Sequence, residues 1–227
     1  MGIITWIKEG IYNNLVLEDR YLLLLDGLET TLVIAVASIL LGTFLGACLC
    51  GLRMSKNAVL RALAKGIIAL FRGIPQVVLL MIMFYVVFAK AAMGGEVVSI
   101  ITFALIFAAY TCEIFRSAIE VVPKGQREAG IALGFSKTRT FTTIILPQAI
   151  RNAFPVYKGE FIALIKLTSI VGYIAVQDLT KASDIIRSRT FDAFFPLILI
   201  SVIYFVLAWF LAKLLEWSMH RFIAERA

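Results

Sequence analysis

Glu160 is the residue of this sequence best placed to bind a charged group inside an apolar environment. It lies in the stretch 154–176, which is apolar apart from Glu160, Lys158 and Lys166. A carboxylate in such a stretch is costly and needs a cation as its partner. Lys158 is about 200° away from Glu160 around a helix, so these two side chains cannot pair. The cation is either an ammonium group on a bound molecule or a basic side chain of the protein. The basic candidates are Lys166, Arg116 and Arg72.

Four other residues are candidates for contacts with the same bound molecule. Thr168 and Ser169 follow in the same stretch, where their hydroxyls would either line a polar path or pack helices together. Gly73 and Ile74 belong to the segment FRGIP (71–75), in which glycine and proline interrupt a helix. This break is either a simple proline kink or a broken helix that lines a cavity. In the second case, free N–H groups would be available to an anion such as a carboxylate.

Two further charged patterns have structural interpretations. Arg61, Lys65 and Arg72 are spaced by four and seven residues in a predicted amphipathic helix, so they form one stripe. This stripe is either an ordinary solvated face or the basic lining of an internal vestibule. Glu113 and Arg116 are three residues apart, and we expect them to form an ion pair on one helix face.

Motifs for enzymatic chemistry are absent from the sequence. It contains no G-x-x-x-x-G-K-[ST] phosphate-binding loop, no Ser-His-Asp set and no H-E-x-x-H zinc motif. Cys48, Cys50 and Cys112 all lie in apolar stretches, so we expect packing thiols rather than a disulfide framework or a metal site. The chain is therefore not expected to be an enzyme or to bind a cofactor or metal ion by itself.

The composition is that of a membrane protein. Of the 227 residues, 61% are hydrophobic, against about 45–50% in soluble domains. A transmembrane helix needs roughly 20 apolar residues, and several stretches reach or approach that length. The sequence predicts an all-α polytopic protein with about five transmembrane helices, in which an external segment (1–29) precedes a single transmembrane domain (30–227). The apolar stretches are 30–51, 75–88, 97–112, 154–176 and 194–212.

The distribution of basic residues predicts the orientation of the chain. Short cytoplasmic loops carry an excess of lysine and arginine. With five spans, 12 basic residues fall in one set of flanking segments and six in the other. The richer set comprises residues 52–65, 119–153 and the C-terminal end, which we therefore assign to the cytoplasm, with the N-terminus outside. The net charge of +7 is accordingly a topology signal and not a nucleic-acid-binding surface.

An amphipathic segment at 128–147 interrupts this apolar sequence. Pro123 is suited to the first position of a short helix, and Gly134 to the left-handed residue that ends it. Ser136 can cap a second helix, which is predicted to stop near Pro147. The segment is either a rigid element that docks on a cytoplasmic partner or a pair of helices on the membrane surface.

The spacing of residues in this segment resembles the EAA loop of ABC importer permeases, E-A-A-x3-G-x9-I-x-L-P. The chain matches every position except that a glycine replaces the third-position alanine. The matching residues are Glu128, Ala129, Gly130, Gly134, Ile144, Leu146 and Pro147. The segment FRGIP is similar to the family's F-R-G-T-P, with Ile74 in the threonine position. Three further segments are similar to the polar amino-acid branch of the family: AYTCEIFRSAI (109–119), PKGQREA (123–129) and KLTSIVGYIAVQDL (166–179).

This resemblance covers roughly residues 20–220. It implies the fold of a type I ABC importer permease (MetI-like). It also implies a location in the bacterial inner membrane, where membrane lipids contact the chain. It implies a second permease chain, as a homodimer or a heterodimer, and an external solute-binding protein. It also implies separate ATPase subunits, which would bind ATP and Mg²⁺ and be coupled through the loop 120–147. Glu160 would then meet the ammonium group of a polar amino acid. The family usually has N-E-F where this chain has Gly159-Glu160-Phe161, so the asparagine has no counterpart here.

The alternative is a stand-alone secondary transporter or channel coupled to ions. Such a protein would show internal repeats and carboxylates shared between spans. The sequence has no visible inverted repeat, and Glu160 is the one carboxylate expected near the middle of the membrane. The importer interpretation is therefore preferred.

The orientation of the chain can be tested by labelling in a cysteine-free background. We expect the variant Ser136→Cys to react with a membrane-impermeant maleimide only after cells are permeabilised, because residues 119–153 carry the cytoplasmic excess of basic residues. Labelling of Ser136→Cys in intact cells would contradict the predicted topology.

Overall fold

The computed structural model describes the backbone of residues 3–224 and the side chains of residues 5–219 and Arg221. It is 87% helical and has no strand within that described range, so the all-α prediction is confirmed. The α-helices are α1 (Ile3–Ile11), α2 (Tyr21–Arg53), α3 (Ala58–Gly73), α4 (Gln76–Ile82), α5 (Gly95–Glu120), α6 (Lys124–Ala132), α7 (Lys137–Thr140), α8 (Leu146–Leu167), α9 (Leu179–Thr190) and α10 (Phe195–Ala224). Wider π-helical turns occupy Tyr12–Val16, Met83–Val87 and Phe141–Ile145, and 3-10 turns occupy Leu17–Asp19 and Thr168–Ile174.

The predicted polytopic architecture is also confirmed. Within the described residues, three single helices are long and apolar enough to cross a membrane: Tyr21–Arg53, Gly95–Val121 and Phe195–Met219. Two bent pairs of helices pass the same test together, which gives five spans if each pair counts as one. The pairs are Ala58–Gly73 with Gln76–Val87, bent by 107°, and Lys137–Ile174 with Leu179–Thr190, bent by 53°.

The bend between α3 and α4 lies where the sequence predicts a helix break. The predicted amphipathic helix is confirmed as α3. Asn57 caps its start by accepting hydrogen bonds from the N–H groups of Val59 and Leu60. The helix ends at Gly73, and Ile74 is extended, with φ −98° and ψ 138°. An extended residue is expected before proline, because the ring of Pro75 clashes with a preceding residue in the α conformation.

The chain forms two compact units. One contains Ser38–Leu79 and Thr102–Phe161, and the other contains the chain up to Ala37, Leu80–Ile101 and the chain from Ile162 onward. We call them the loop unit and the terminal unit.

Close contact between α2 and α5 forms the centre of the loop unit. A Cβ atom on Gly42 would lie 2.7 Å from the carbonyl oxygen of Ala104, and one on Gly46 would lie 2.9 Å from Cβ of Thr111. Glycines at such positions allow two helix backbones to approach closely, as is common in membrane proteins. The α5 face at this contact is fully packed, since Ala104 is completely buried and Phe107 is 2% exposed.

In the terminal unit, α9 packs against the first half of α2. A Cβ atom on Gly27 would lie 2.7 Å from the carbonyl oxygen of Asp178, and the N–H of Leu179 donates to the hydroxyl of Thr31 at 3.2 Å. Asp178 caps α9 by accepting a hydrogen bond from the N–H of Lys181 at 2.9 Å. An apolar cluster fills the space between α2, α9 and α10. Its buried members are Leu24, Leu179, Ala182, Ile186 and Ile200.

The α2–α5 contact gives a prediction about stability. Gly42→Ala should destabilise the protein by about 1–3 kcal/mol, because the added methyl group must displace packed backbone. Gly51→Ala, in the same helix, is the matched control, since no atom lies within 4 Å of its added Cβ. Alanine is the better helix former, so this control should be neutral or stabilising by up to about 1 kcal/mol. The measurement is the midpoint of thermal unfolding of each detergent-solubilised variant. Equal midpoints for Gly42→Ala and Gly51→Ala would contradict the close contact between α2 and α5.

Candidate functional site

A cavity of about 640 Å³ lies in the loop unit, within the size range of small-molecule sites. Its lining combines charged, aromatic and apolar side chains from α3, α5 and α8. The lining residues are Arg72, Tyr110, Glu113, Ile114, Ser117, Ala118, Val121, Arg151, Asn152, Ala153, Pro155, Val156 and Glu160. We call it the α3–α5–α8 cavity.

Glu160, the first candidate from the sequence, lines this cavity and is partly buried. It forms no salt bridge or side-chain hydrogen bond within the described part of the chain. Arg116, one of the proposed protein partners, is already held by Glu113 and Glu120. Arg72, another, lines the same cavity, and no ion pair joins it to Glu160 in the described part of the chain. The carboxylate of Glu160 is therefore available to a cationic group in the cavity.

Arg72 is oriented by an aromatic side chain. The guanidinium carbon lies 4.9 Å from the centroid of the Tyr110 ring, a distance at which the cation is attracted to the negative face of the ring. This contact orients a planar donor group that is suited to a carboxylate. Of the predicted basic stripe, Arg72 lines this cavity together with Glu160, whereas Arg61 and Lys65 are not among its lining residues.

The second carboxylate of the cavity, Glu113, is neutralised by two arginines. Its Oε2 accepts from Arg116 at 2.8 Å, which confirms the predicted pair, and its Oε1 lies 3.3 Å from Nε of Arg53. Arg53 is the last residue of α2, so the second contact joins the end of α2 to α5. About a fifth of the Glu113 side chain is exposed. Glu113 therefore serves as a structural bridge, which leaves Glu160 as the unpaired carboxylate in the cavity lining.

The other four candidates lie outside the lining of this cavity. Gly73 and Ile74 are at the break between α3 and α4. Thr168 is completely buried and its hydroxyl donates to the carbonyl of Ile165 at 2.7 Å. Ser169 similarly donates to the carbonyl of Lys166 at 2.8 Å. A role of these four residues in substrate contact stays a prediction.

The second site predicted from the sequence is the turn between α6 and α7, residues 130–140, which we call the glycine corner. Gly134 has φ +82°, as predicted for the residue that ends the first helix. Its N–H donates to the carbonyl of Ile131 at 2.9 Å, and the N–H of Phe135 donates to the carbonyl of Gly130 at 3.1 Å. These two bonds define a Schellman motif, which requires a left-handed residue. Ser136 then caps α7 by accepting from the N–H of Arg139 at 3.2 Å, also as predicted.

Gly130 sets the distance between the two sides of the glycine corner. A Cβ atom there would lie 2.6 Å from Cγ2 of Thr140 and 2.9 Å from Cδ1 of Ile144. Because this chain has glycine where the family has alanine, α6 can approach α7 and the π-helical turn after it more closely. The buried residues behind the corner are Val122, Ile145 and Ala149.

Two details of the predicted corner are wrong. Pro123 is the residue before α6 rather than its first helical residue, because its ψ of 136° is extended. The second helix also does not stop near Pro147. The π-helical turn Phe141–Ile145 joins α7 directly to α8, and the N–H of Leu146 bonds to the carbonyl of Phe141. The wider turn lets the helix accommodate a proline that lacks one backbone donor.

The outer surface of the glycine corner combines apolar and charged side chains. Leu133 is 73% exposed and Ile131 is 48% exposed, although both adjoin the tight turn at Gly134. Glu128 and Ala129 are exposed on the same short helix. A rigid, angled surface with exposed leucine and isoleucine beside a charge is typical of a docking element rather than of a solvated loop.

Comparison with known proteins identifies relatives over nearly the whole chain. The family described as "Binding-protein-dependent transport system inner membrane component" matches residues 29–221. A relative from Rickettsia typhi, named as a putative glutamine transport system permease protein, is 34% identical over 209 residues. That match covers 88% of this chain and 94% of the relative.

Two solved structures share the fold. One is a crystal structure of an amino acid ABC transporter with histidines, with a TM-score of 0.81, 30% identity and coverage of 97% of this chain and 99% of that chain. The other is an inward-facing methionine ABC transporter, with a TM-score of 0.67, 22% identity and coverage of 90% and 96%. These neighbours confirm the predicted type I permease (MetI-like) fold.

Proposed function

This chain belongs to the family of binding-protein-dependent transport system inner membrane components, and we propose that it forms the translocation path of an ATP-driven importer for polar amino acids. It is a multi-pass inner-membrane transport subunit and not a catalytic chain. The observation that carries the substrate class is one cavity lined by Arg72 and by Glu160, whose carboxylate has no ion pair among the described residues. The names of a glutamine permease and of an amino acid transporter with histidines agree with this class.

The proposed contacts follow from the charges of an amino acid. Its ammonium group would pair with Glu160, and its carboxylate with Arg72, whose guanidinium is oriented over the Tyr110 ring. A free amino acid brings both charges, so it neutralises both side chains at once. A charge at membrane depth that is left unpaired is costly, which makes a zwitterion the ligand that suits this cavity. Side chains beyond these two decide which amino acid is taken, and the cavity alone does not name it.

The glycine corner is proposed to couple this cavity to the partner ATPase subunits. Its exposed Ile131 and Leu133, together with Glu128 just before it on α6, would bind a groove on the ATPase. From Lys137 the chain is continuously helical through α7, the π-helical turn and α8 as far as Glu160. That distance is 23 residues, or about 35 Å at 1.5 Å per residue. A movement of the corner would therefore reach Glu160 along one continuous helical element in the loop unit, which contains Pro155.

The proposed assembly contains chains that supply what this one lacks. ATP and Mg²⁺ would be bound by the ATPase subunits, the amino acid would be delivered by an external solute-binding protein, and a second permease chain, identical or not, would complete the path. The proposed orientation has the N-terminus outside and the glycine corner in the cytoplasm, in keeping with the basic residues of 119–153. Co-purification with a nucleotide-binding chain tests this assembly. Uptake by the purified chain alone, driven by an ion gradient, would instead support the secondary-transporter alternative.

The role of Glu160 predicts the effect of removing its charge. Glu160→Gln should weaken substrate binding by about 1.5–3 kcal/mol, the usual range for a hydrogen bond to a charged group, or roughly 10–150-fold in affinity. Folding and association with the ATPase should be retained, because Glu160 has no partner among the described side chains to lose. The measurement is the concentration dependence of amino-acid uptake into proteoliposomes that contain the whole complex.

Glu113→Gln is the contrasting variant from the same cavity. It should lower the thermal stability of the complex, because Arg53 and Arg116 both bind that carboxylate. Unchanged uptake kinetics for Glu160→Gln, or a loss of assembly equal to that of Glu113→Gln, would assign Glu160 to structure.

The glycine corner predicts variants that separate binding from coupling. Gly134→Val places a Cβ atom in a left-handed residue at a cost of about 1–2 kcal/mol, although the space around Gly134 is open. Glu128→Arg reverses a charge on the exposed surface of α6. Both complexes should bind substrate nearly normally, while their ATP hydrolysis no longer responds to the loaded binding protein. The measurement is substrate-stimulated ATPase activity beside substrate binding on the same sample.

Gly125→Ala is the matched control for these variants. Gly125 is in the same short helix, has ordinary helical φ and has no atom within 4 Å of an added Cβ, so coupling should be retained. If Gly134→Val and Glu128→Arg couple as well as Gly125→Ala, the corner is not the coupling element.

A further inference from the structure

The N-terminal helix α1 lies directly against the first residue of the long span α10. The ring of Trp6 contacts the ring of Phe195 edge to face, with 5.8 Å between the centroids. One turn later, Gly10 lies beneath the same ring, and any Cβ atom at that position would overlap the ring carbons of Phe195. Both contacts belong to the terminal unit. The position of α1 is therefore fixed at the level where α10 begins.

A buried polar contact fixes α1 to the same place. Asn14 is 1% exposed, and its Nδ2 donates to Oδ2 of Asp192 at 2.9 Å and to the carbonyl of Gly10 at 3.0 Å. The other oxygen of Asp192 accepts from the N–H groups of Phe194 and Phe195 at 3.0 and 3.1 Å. Asp192 therefore caps the start of α10 with one oxygen and holds the end of α1 with the other. Separation of the two elements would therefore break the hydrogen bond between Asn14 and Asp192.

The surface that α1 leaves uncovered is apolar and aromatic. Trp6 and Ile7 are each 41% exposed, and Ile11 is 43% exposed. The polar residues of the helix lie on the opposite face at 100° per residue. These residues are Thr5, Lys8 and Glu9. A helix with this division of faces buries its apolar side in a hydrophobic environment. Phe195 covers that side at Gly10, while Trp6 and Ile7 stay partly exposed.

The span α10 shows which environment adjoins that surface. Only 22% of the most apolar stretch of α10 is buried within the chain. The outer face of α10 is therefore in contact with other membrane components. Immediately before its first residue, Phe194 is 74% exposed and Phe191 is 93% exposed. Aromatic residues at the ends of membrane spans typically lie at the level of the lipid headgroups. The uncovered surface of α1 is continuous with this ring of aromatic residues at the start of α10.

We propose that α1 is an interfacial helix that lies on the bilayer, with Trp6, Ile7 and Ile11 in the boundary between headgroups and acyl chains. The lipid surface is thus the partner of this face, and the Asn14–Asp192 contact holds the end of this segment beside the start of α10. Amphipathic helices that bind membranes in this way bury their apolar face by 5–10 Å or so. The proposal is independent of the transported substrate and of the side of the membrane on which α10 begins.

The depth of Trp6 tests this proposal in the full chain reconstituted in phosphatidylcholine vesicles. The sequence has three tryptophans, Trp6, Trp209 and Trp217. A variant with Trp209→Phe and Trp217→Phe reports on Trp6 alone. Lipids brominated near the headgroup should quench its fluorescence more than lipids brominated near the chain end. A variant with Trp6→Phe and Trp217→Phe reports on Trp209, about 21 Å along α10, and should show the opposite order. Quenching of Trp6 by aqueous acrylamide but by neither lipid would overturn the proposal and leave the face to an external protein.

A pair of charge substitutions supplies a second test in the same vesicles. Ile7→Asp places a charge on the apolar face and should raise the acrylamide quenching constant of Trp6. Thr5→Asp adds the same charge to the polar face and should leave that constant unchanged. Equal effects of the two substitutions, or no effect of either, would also overturn the proposal, because a face in water does not distinguish them.

Discussion

A charged side chain among apolar helices must find an opposite charge, and this requirement organises the loop unit. Glu113 meets it with two arginines, one at the end of α2 and one on its own helix. Arg116 is further neutralised by Glu120, one turn along α5. Once these charges are paired with one another, Glu160 remains in the cavity without an ion pair among the side chains that the structure describes. Arg72 lines the same cavity and lies over the ring of Tyr110. The candidate site is thus defined by which charges the fold leaves unpaired.

Backbone breaks in this chain occur where glycine or proline relieves a specific constraint. At Pro75 the ring forces Ile74 into an extended conformation, and the chain turns by 107°. At Gly134 the left-handed residue closes a Schellman motif. At Pro147 the outcome is different, because a π-helical turn absorbs the missing donor and the helix continues. A helix can therefore continue through a proline when the turn before that proline widens.

The sequence predicts the local features of this fold much better than the tertiary ones. Apolar runs, helix caps and the left-handed glycine depend on neighbouring residues, so the helix ending at Gly73, the cap at Ser136 and the turn at Gly134 could all be predicted. The pair between Glu113 and Arg116 is equally local, being one turn of helix. The contact of Arg53 with Glu113 joins α2 to α5, which are distant in the sequence. Arg151 of α8 likewise lines the cavity together with residues of α3 and α5. No spacing rule contains that information, and a single sequence offers no other signal for it.

The mistaken boundary at Pro147 changes the mechanical interpretation of the protein. Two separate short helices would have made the glycine corner a flexible appendage of the span that carries Glu160. A continuous helix from Lys137 to Glu160 instead places the corner and the cavity at two ends of one helical element within the loop unit. Coupling between distant sites requires an element whose position both sites influence. In the proposed coupling, that element is α7 with α8. The packing of Ile144 against Gly130 fixes one end, and the hydrogen bond between Tyr157 and Thr43, at 2.6 Å, fixes the helix one turn before Glu160. Under this proposal, a force applied at the corner would act on the carboxylate without passing through a loop.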